Sequence, residues 1–155
     1  MAVSATPVLD ELGLQSFCKT SGGKGVHITV PLAPVHTWEE VKGFSHAIAR
    51  HLAKVIPQRF SAVSGPRNRI GKIFVDYLRN GRGATTAVAL SPRARPGLPV
   101  SMPVSWDELP ELGGAADWNV MTGLDEARSR WEGSAAYAVE QEITDTMRRA
   151  VGATD

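Results

Sequence analysis

Between Thr37 and Pro57 the chain has little choice but to form a helix. Thr37 and Glu40 stand at capping-box spacing, where each side chain satisfies a free backbone donor of the first turn. Val41, Phe44, Ile48, Leu52 and Val55 then recur at spacings of three and four, drawing one apolar stripe down a single face. Pro57 stops the run, because it lacks an amide hydrogen and its ring cannot continue a helix. A helix with one apolar stripe needs a partner layer, and the neighbouring segments read as strands.

Residues 14–19 form one short strand candidate and residues 26–31, rich in β-branched side chains, form another. Thr20-Ser21-Gly22-Gly23-Lys24-Gly25 lies between them as a tight polar turn, so the pair is expected as a hairpin with a glycine-rich tip. Residues 7–13 read as a short helix stopped by Gly13. Residues 60–63 allow a short strand. Residues 72–78 (KIFVDYL) read as a strand closed by Arg79-Asn80-Gly81, and residues 84–90 as its hairpin partner. SPRARPGLP is an extended, proline-rich loop, and residues 99–110 hold a short strand and one helical turn. Beyond Gly113-Gly114 the tail is expected to be helical, with Ala136, Val139, Ile143, Met147 and Ala150 marking an amphipathic final helix. The expected fold is therefore α/β (α+β), a small mixed or antiparallel sheet with packed helices and a helical C-terminal extension. No internal repeat is visible.

At 155 residues, 43% hydrophobic and 21% charged, the chain fits one globular domain with a substantial core. No apolar run approaches the roughly 18 residues of a membrane span. The N-terminus lacks the positive-then-apolar pattern of a signal peptide, so a cytoplasmic location is expected. Cys18 is the single cysteine, which excludes an internal disulfide and a multi-cysteine zinc site. The net charge of +1 hides an asymmetry. Residues 1–66 carry six Lys/Arg against four Asp/Glu, residues 67–95 carry seven against Asp76 alone, and residues 96–155 carry four against eleven. The basic middle block fits either a phosphate-bearing partner or a solvated face balanced by the acidic tail.

Three groups of residues can carry chemistry. In Ser21-Gly22-Gly23-Lys24-Gly25-Val26-His27, glycines admit an anion close to backbone amides, Lys24 adds a charge, and His27 starts the outgoing strand. The turn leads into a strand, so it is not a Walker A loop, and a plain hairpin turn is the competing reading. Asp76 sits in a strand whose two faces both look apolar, which predicts a partly buried carboxylate bound to a cation or paired with arginine. Arg79, Arg93 and Arg95 offer forks that match phosphate oxygens, while Arg67, Arg69 and Arg82 also suit a solvated surface.

Taken together, KTSGGKGVHITVPL, IFVDYLRNGRG and ALSPRARPGLPVSMPVSWDEL, in that order, resemble the polymerase (primase-like) domain of bacterial DNA ligase D, in the archaeo-eukaryotic primase superfamily. The resemblance covers residues 7 to about 112. It implies a C-terminal half of that domain over 1–112 and a helical extension over 113–155. It also implies nucleotidyl transfer onto primers during non-homologous end joining, a DNA repair process, with a nucleoside triphosphate and DNA ends or a primer-template as partners. By the same resemblance Ser21 and His27, with Lys24 nearby and Arg79 and Arg93 beside them, hold the nucleotide. Asp76 ligates Mg²⁺ or Mn²⁺ for two-metal phosphoryl transfer, and Arg69, Arg82 and Arg95 are the candidate nucleic-acid contacts.

The family supplies two further metal carboxylates as an Asp-x-Asp pair, and no Asp-x-Asp occurs in this sequence. A lone carboxylate rarely holds Mg²⁺. The expectation is therefore a partial nucleotidyltransferase module, inactive unless another chain carries the missing N-terminal half. The alternative is a non-catalytic nucleotide- or nucleic-acid-binding remnant, or an assembly subunit of a split DNA ligase D.

Overall fold

The computed structural model describes residues 6–132 and 138–153. They fall into two compact units: residues up to 32 with 87–141, and residues 33–86 with 142–155.

The first unit begins with α1 (Thr6–Glu11). Gly13, at φ +70°, donates to Asp10 O (2.9 Å) and Leu14 donates to Leu9 O (2.9 Å), a left-handed cap that closes the helix where the sequence predicts. β1 (Phe17–Thr20) and β2 (Val26–Thr29) form the expected hairpin, with Cys18 opposite Ile28 and Lys19 opposite His27. Both strands are shorter than the predicted 14–19 and 26–31. On the other side of β1 lies the antiparallel β5 (Pro103–Val104), giving the order β2-β1-β5.

Strand alternation places Cys18 and Thr20 on one face, where both are buried, and Lys19 on the other. Cys18, Val104 and Leu109 are the centre of this core, with Val26, Trp106, Leu112 and Trp118 packed around them. A 3-10 turn at Leu109–Glu111 follows β5, as anticipated for residues 99–110. The helix α3 (Leu124–Glu132) packs on β5. Arg130 of α3 is bound by both Glu108 oxygens (2.6 and 3.0 Å), by Glu126 (2.6 Å) and by Pro103 O (2.8 Å). Its guanidinium lies over the Trp118 ring, 5.2 Å from the centroid.

The second unit is organised by α2 (Trp38–Val55). Its capping box forms in full: the Glu40 amide donates to Thr37 Oγ1 (3.2 Å) and the Thr37 amide to Glu40 Oε2 (2.7 Å). Phe44, Ala47, Ala49 and Leu52 are buried, whereas Val55, at the end of the stripe, is 59% exposed. β3 (Phe60–Ser61) packs against α2 and pairs in parallel with β4 (Ile73–Phe74). A 3-10 turn, Pro66–Arg69, connects them.

Two sequence expectations fail in these units. The strand over 72–78 ends after Phe74, and residues 84–90 form no strand, so the second hairpin does not exist. β3 offers only two residues of ladder, and beyond it local turns take over: Asn80 donates to Tyr77 O (3.2 Å) and Ala84 to Gly81 O (3.0 Å). Because the strand stops early, the alternation that would set Asp76 on an apolar face never operates, and its side chain is 45% exposed. The continuous final helix also fails. The helix α4 spans only Asp145–Ala150, because the Thr144 hydroxyl accepts from the Met147 amide (3.3 Å) and starts the helix there. Val139 and Ile143 precede it in non-helical backbone, and Ala136 lies outside the described residues. Among the described residues no helix is long and apolar enough to cross a membrane.

Candidate functional site

The glycine-rich turn, its flanking strands and the arginine loop all belong to the first unit. The turn is closed twice. The Ser21 amide donates to Gly25 O (2.9 Å), and the Gly25 amide donates to Ser21 Oγ (3.1 Å). Gly22 sits at φ +60° and is buried, in the left-handed region that glycine enters without strain.

The proline-rich loop folds back over this turn as an irregular hairpin. Pro92 bridges Val100, the Arg93 amide donates to Pro99 O (2.8 Å), and the Leu98 amide donates to Arg95 O (2.9 Å). Thr20, fully buried, is the rivet beneath it. Its amide donates to Met102 O (2.8 Å), and its hydroxyl donates to Val100 O (3.3 Å) while accepting from the Met102 amide (2.9 Å). This folding lays Arg93 directly on Gly22: a methyl built at Gly22 would stand 2.6 Å from Arg93 Cγ. Arg95 covers the next residue, its Cζ 3.3 Å from the methyl position of Gly23. Two arginines therefore converge on a turn that has no side chain to keep them away.

Lys19 and His27 face each other across the hairpin beside this turn. Lys19 Nζ lies 2.8 Å from His27 Nδ1, 2.7 Å from Ala87 O and 3.0 Å from Ser101 Oγ. Burial, with the Arg93 charge adding to it, holds the Lys19 ammonium down to about 8. Lys24 at the tip is exposed, Ser21 and His27 are half-buried, Arg93 is half-buried and Arg95 is exposed. The first unit thus gathers Ser21, His27, Arg93 and Arg95 around one turn with Lys24 at its edge, a cationic arrangement suited to phosphate oxygens.

Asp76, Arg79, Arg69 and Arg82 belong to the second unit. The Asp76 carboxylate accepts from the Leu78 amide (3.0 Å) and stands 4.0 Å from Arg79 Nε. Arg79 also donates to Thr85 O (3.2 Å), and its side chain is 63% exposed. Tyr77, the residue after Asp76, stacks on His46 of α2 with ring centroids 3.9 Å apart. Arg69 is held over the Phe74 ring at 4.9 Å, and Arg82 is exposed. Among the described residues no three His, Cys, Asp or Glu side chains are placed to hold a metal ion together. Asp76 is a single carboxylate, so the groups present do not make up a Mg²⁺ or Mn²⁺ site.

Lys19, Thr20 and Ser101 escaped the sequence reading. A signal for Lys19 did exist: a turn closed by Ser21 and Gly25 sets Lys19 opposite His27, on the same face. Nothing local marks Thr20 or Ser101, whose partners lie some 80 residues away in sequence.

Residues 1–132 match the family described as LigD, primase-polymerase domain. The chain is 56% identical over 148 residues to the multifunctional non-homologous end joining protein LigD of Pseudomonas aeruginosa, covering 94% of this chain and 18% of that protein. It is 30% identical over 124 residues to the bifunctional non-homologous end joining protein LigD of Bacillus subtilis, covering 79% of this chain and 20% of that one. The chain thus spans about a fifth of the length of these curated relatives. Among solved structures it is similar to the polymerase domain from Mycobacterium tuberculosis ligase D in complex with DNA, with a TM-score of 0.74 at 26% identity. That match covers 99% of this chain and 49% of the other.

Proposed function

The chain belongs to the LigD primase-polymerase domain family, and from that premise we propose that it is the C-terminal half of an end-joining polymerase module. Its first unit grips the triphosphate of an incoming nucleotide. One observation carries this reading: Arg93 and Arg95 lie against Gly22 and Gly23 of a turn whose flanking strand presents His27. Arginine forks, glycine backbone and a ring donor together answer the charge and hydrogen-bonding demand of phosphate oxygens. Ser21 holds the shape of the turn, Lys24 adds charge at its rim, and Arg79 is assigned to the nucleotide by family resemblance.

Arg69, Arg82 and Arg95 are proposed nucleic-acid contacts, Arg95 standing at the edge of the phosphate cradle. Asp76 is proposed, by resemblance, as this chain's one carboxylate for Mg²⁺ or Mn²⁺. One carboxylate does not suffice as a site for either ion. The partners are a nucleoside triphosphate and DNA ends or a primer-template, and the N-terminal half of the domain, on this or another chain, completes the enzyme. A place near the nucleoid in the cytoplasm follows from DNA repair.

The purified chain is therefore expected to bind ATP and to extend no primer by itself in Mn²⁺, and to gain extension when the complementary half is added. Robust extension by the chain alone overturns the partial-module reading. A second reading is a nucleotide- or nucleic-acid-binding remnant or assembly subunit without turnover, favoured by the fact that among the described residues no three His, Cys, Asp or Glu side chains come together around Asp76. It predicts salt-sensitive DNA binding weakened by Arg93→Ala and Arg95→Ala, with no extension after reconstitution.

A further inference from the structure

We propose that Lys19 is a positioning residue for the phosphate cradle, locking the His27 imidazole in the tautomer that accepts at Nδ1 and carries its proton on Nε2. This rests on the reading that His27 serves a bound phosphate, because an imidazole contributes to anion binding by donating.

The count of hydrogens makes the case. The Ser101 hydroxyl, fully buried, donates its one hydrogen to Thr20 O at 2.7 Å, so its oxygen is left to accept. Ala87 O can only accept. Lys19 Nζ reaches both, at 3.0 and 2.7 Å, and reaches His27 Nδ1 at 2.8 Å. An ammonium has three hydrogens and no lone pair, and these are three partners. With Lys19 protonated, Nδ1 must therefore be the acceptor, which leaves the ring hydrogen on Nε2.

The register fixes the pairing, since Lys19 and His27 are directly opposed on β1 and β2. The anchors at the back of Lys19 come from Ala87 and Ser101, so the ammonium is aimed by groups distant in sequence from the ring it orients.

Long-range ¹⁵N–¹H correlation of the labelled, nucleotide-free protein at pH 7 reads the tautomer directly. The expected result is an Nε2–H ring at His27 that becomes a mixture in Lys19→Met. ATP affinity is expected to fall about tenfold in Lys19→Met and to change less than twofold further when His27→Ala is already present. An Nδ1–H ring in the wild-type protein overturns the proposal, as does an unchanged Nε2–H ring in Lys19→Met. Should Lys19→Met not fold, the wild-type ring decides by a titration that follows Lys19 Nζ and the ring together through the pH at which the ammonium loses a hydrogen. Movement of the Nδ1 resonance there supports the proposal and a static one overturns it. A wild-type chain that shows the Nε2–H ring yet binds no ATP refutes the nucleotide reading and leaves the tautomer lock standing.

Discussion

Replacing Gly22 by alanine tests the proposed phosphate cradle at the point where turn and arginine meet. Two separate effects follow from the geometry. An L-residue at φ +60° costs roughly 1–2 kcal/mol of stability in the left-handed region. The new methyl also falls 2.6 Å from Arg93 Cγ, with Val100 C at 3.2 Å and Pro99 O at 3.3 Å behind it. Val100 is held through its carbonyl by the Thr20 hydroxyl and Pro99 O by the Arg93 amide, so the Arg93 side chain is the group that moves. A charge-assisted hydrogen bond contributes about 1.5–3 kcal/mol, so displacing Arg93 should weaken ATP binding about tenfold to a hundredfold. Gly25→Ala is the control in the same turn, since a methyl there meets nothing within 4 Å and the amide bonded to Ser21 is kept. Calorimetric titration with ATP, alongside urea unfolding, separates affinity from stability. If Gly22→Ala acts through Arg93, adding Arg93→Ala should cause little further loss. A folded Gly22→Ala protein binding within twofold of wild type refutes the reasoning, as does an equal loss in Gly25→Ala.

Burial raises the Cys18 thiol to about 11, with the Glu108 charge adding to the effect, and Sγ donates to Val104 O at 3.1 Å. A thiol-reactive chromophore at pH 8 should therefore label the native protein far more slowly than the urea-unfolded chain; equal rates would show the core is open. The hydrogen bond from Arg130 lowers the Glu108 carboxyl to about 2, below its ordinary 4.5. The folded state binds fewer protons over that interval, so this stabilisation is whole above pH 4.5 and is lost as pH falls toward 2. Glu108→Gln should cost about 1 kcal/mol at pH 7, allowing for solvent screening, and should flatten acid unfolding between pH 4.5 and 2; an unaltered acid profile would place the acid sensitivity elsewhere. Thr37→Ala removes the hydroxyl of the α2 capping box and should cost about 1 kcal/mol in urea unfolding, with no change in ATP affinity.

The local grammar of the chain was decisive wherever an element depends on its own neighbours. Thr37, Glu40 and the stripe through Phe44 and Leu52 specify α2 because capping and helical spacing are short-range. Gly13 ends α1, and Ser21 to Gly25 close the hairpin, for the same reason. Tertiary structure decided the rest. KIFVDYL alternates like a strand, yet a strand needs a ladder, and β3 supplies two residues of it, which leaves Asp76 in solvent. The residues from Ala136 to Ala150 have helical spacing, but the Thr144 hydroxyl caps a shorter helix. The motif named the residues of the proposed phosphate cradle. Their meeting depends on Thr20 and Ser101 binding a segment 80 residues distant, which no local pattern encodes.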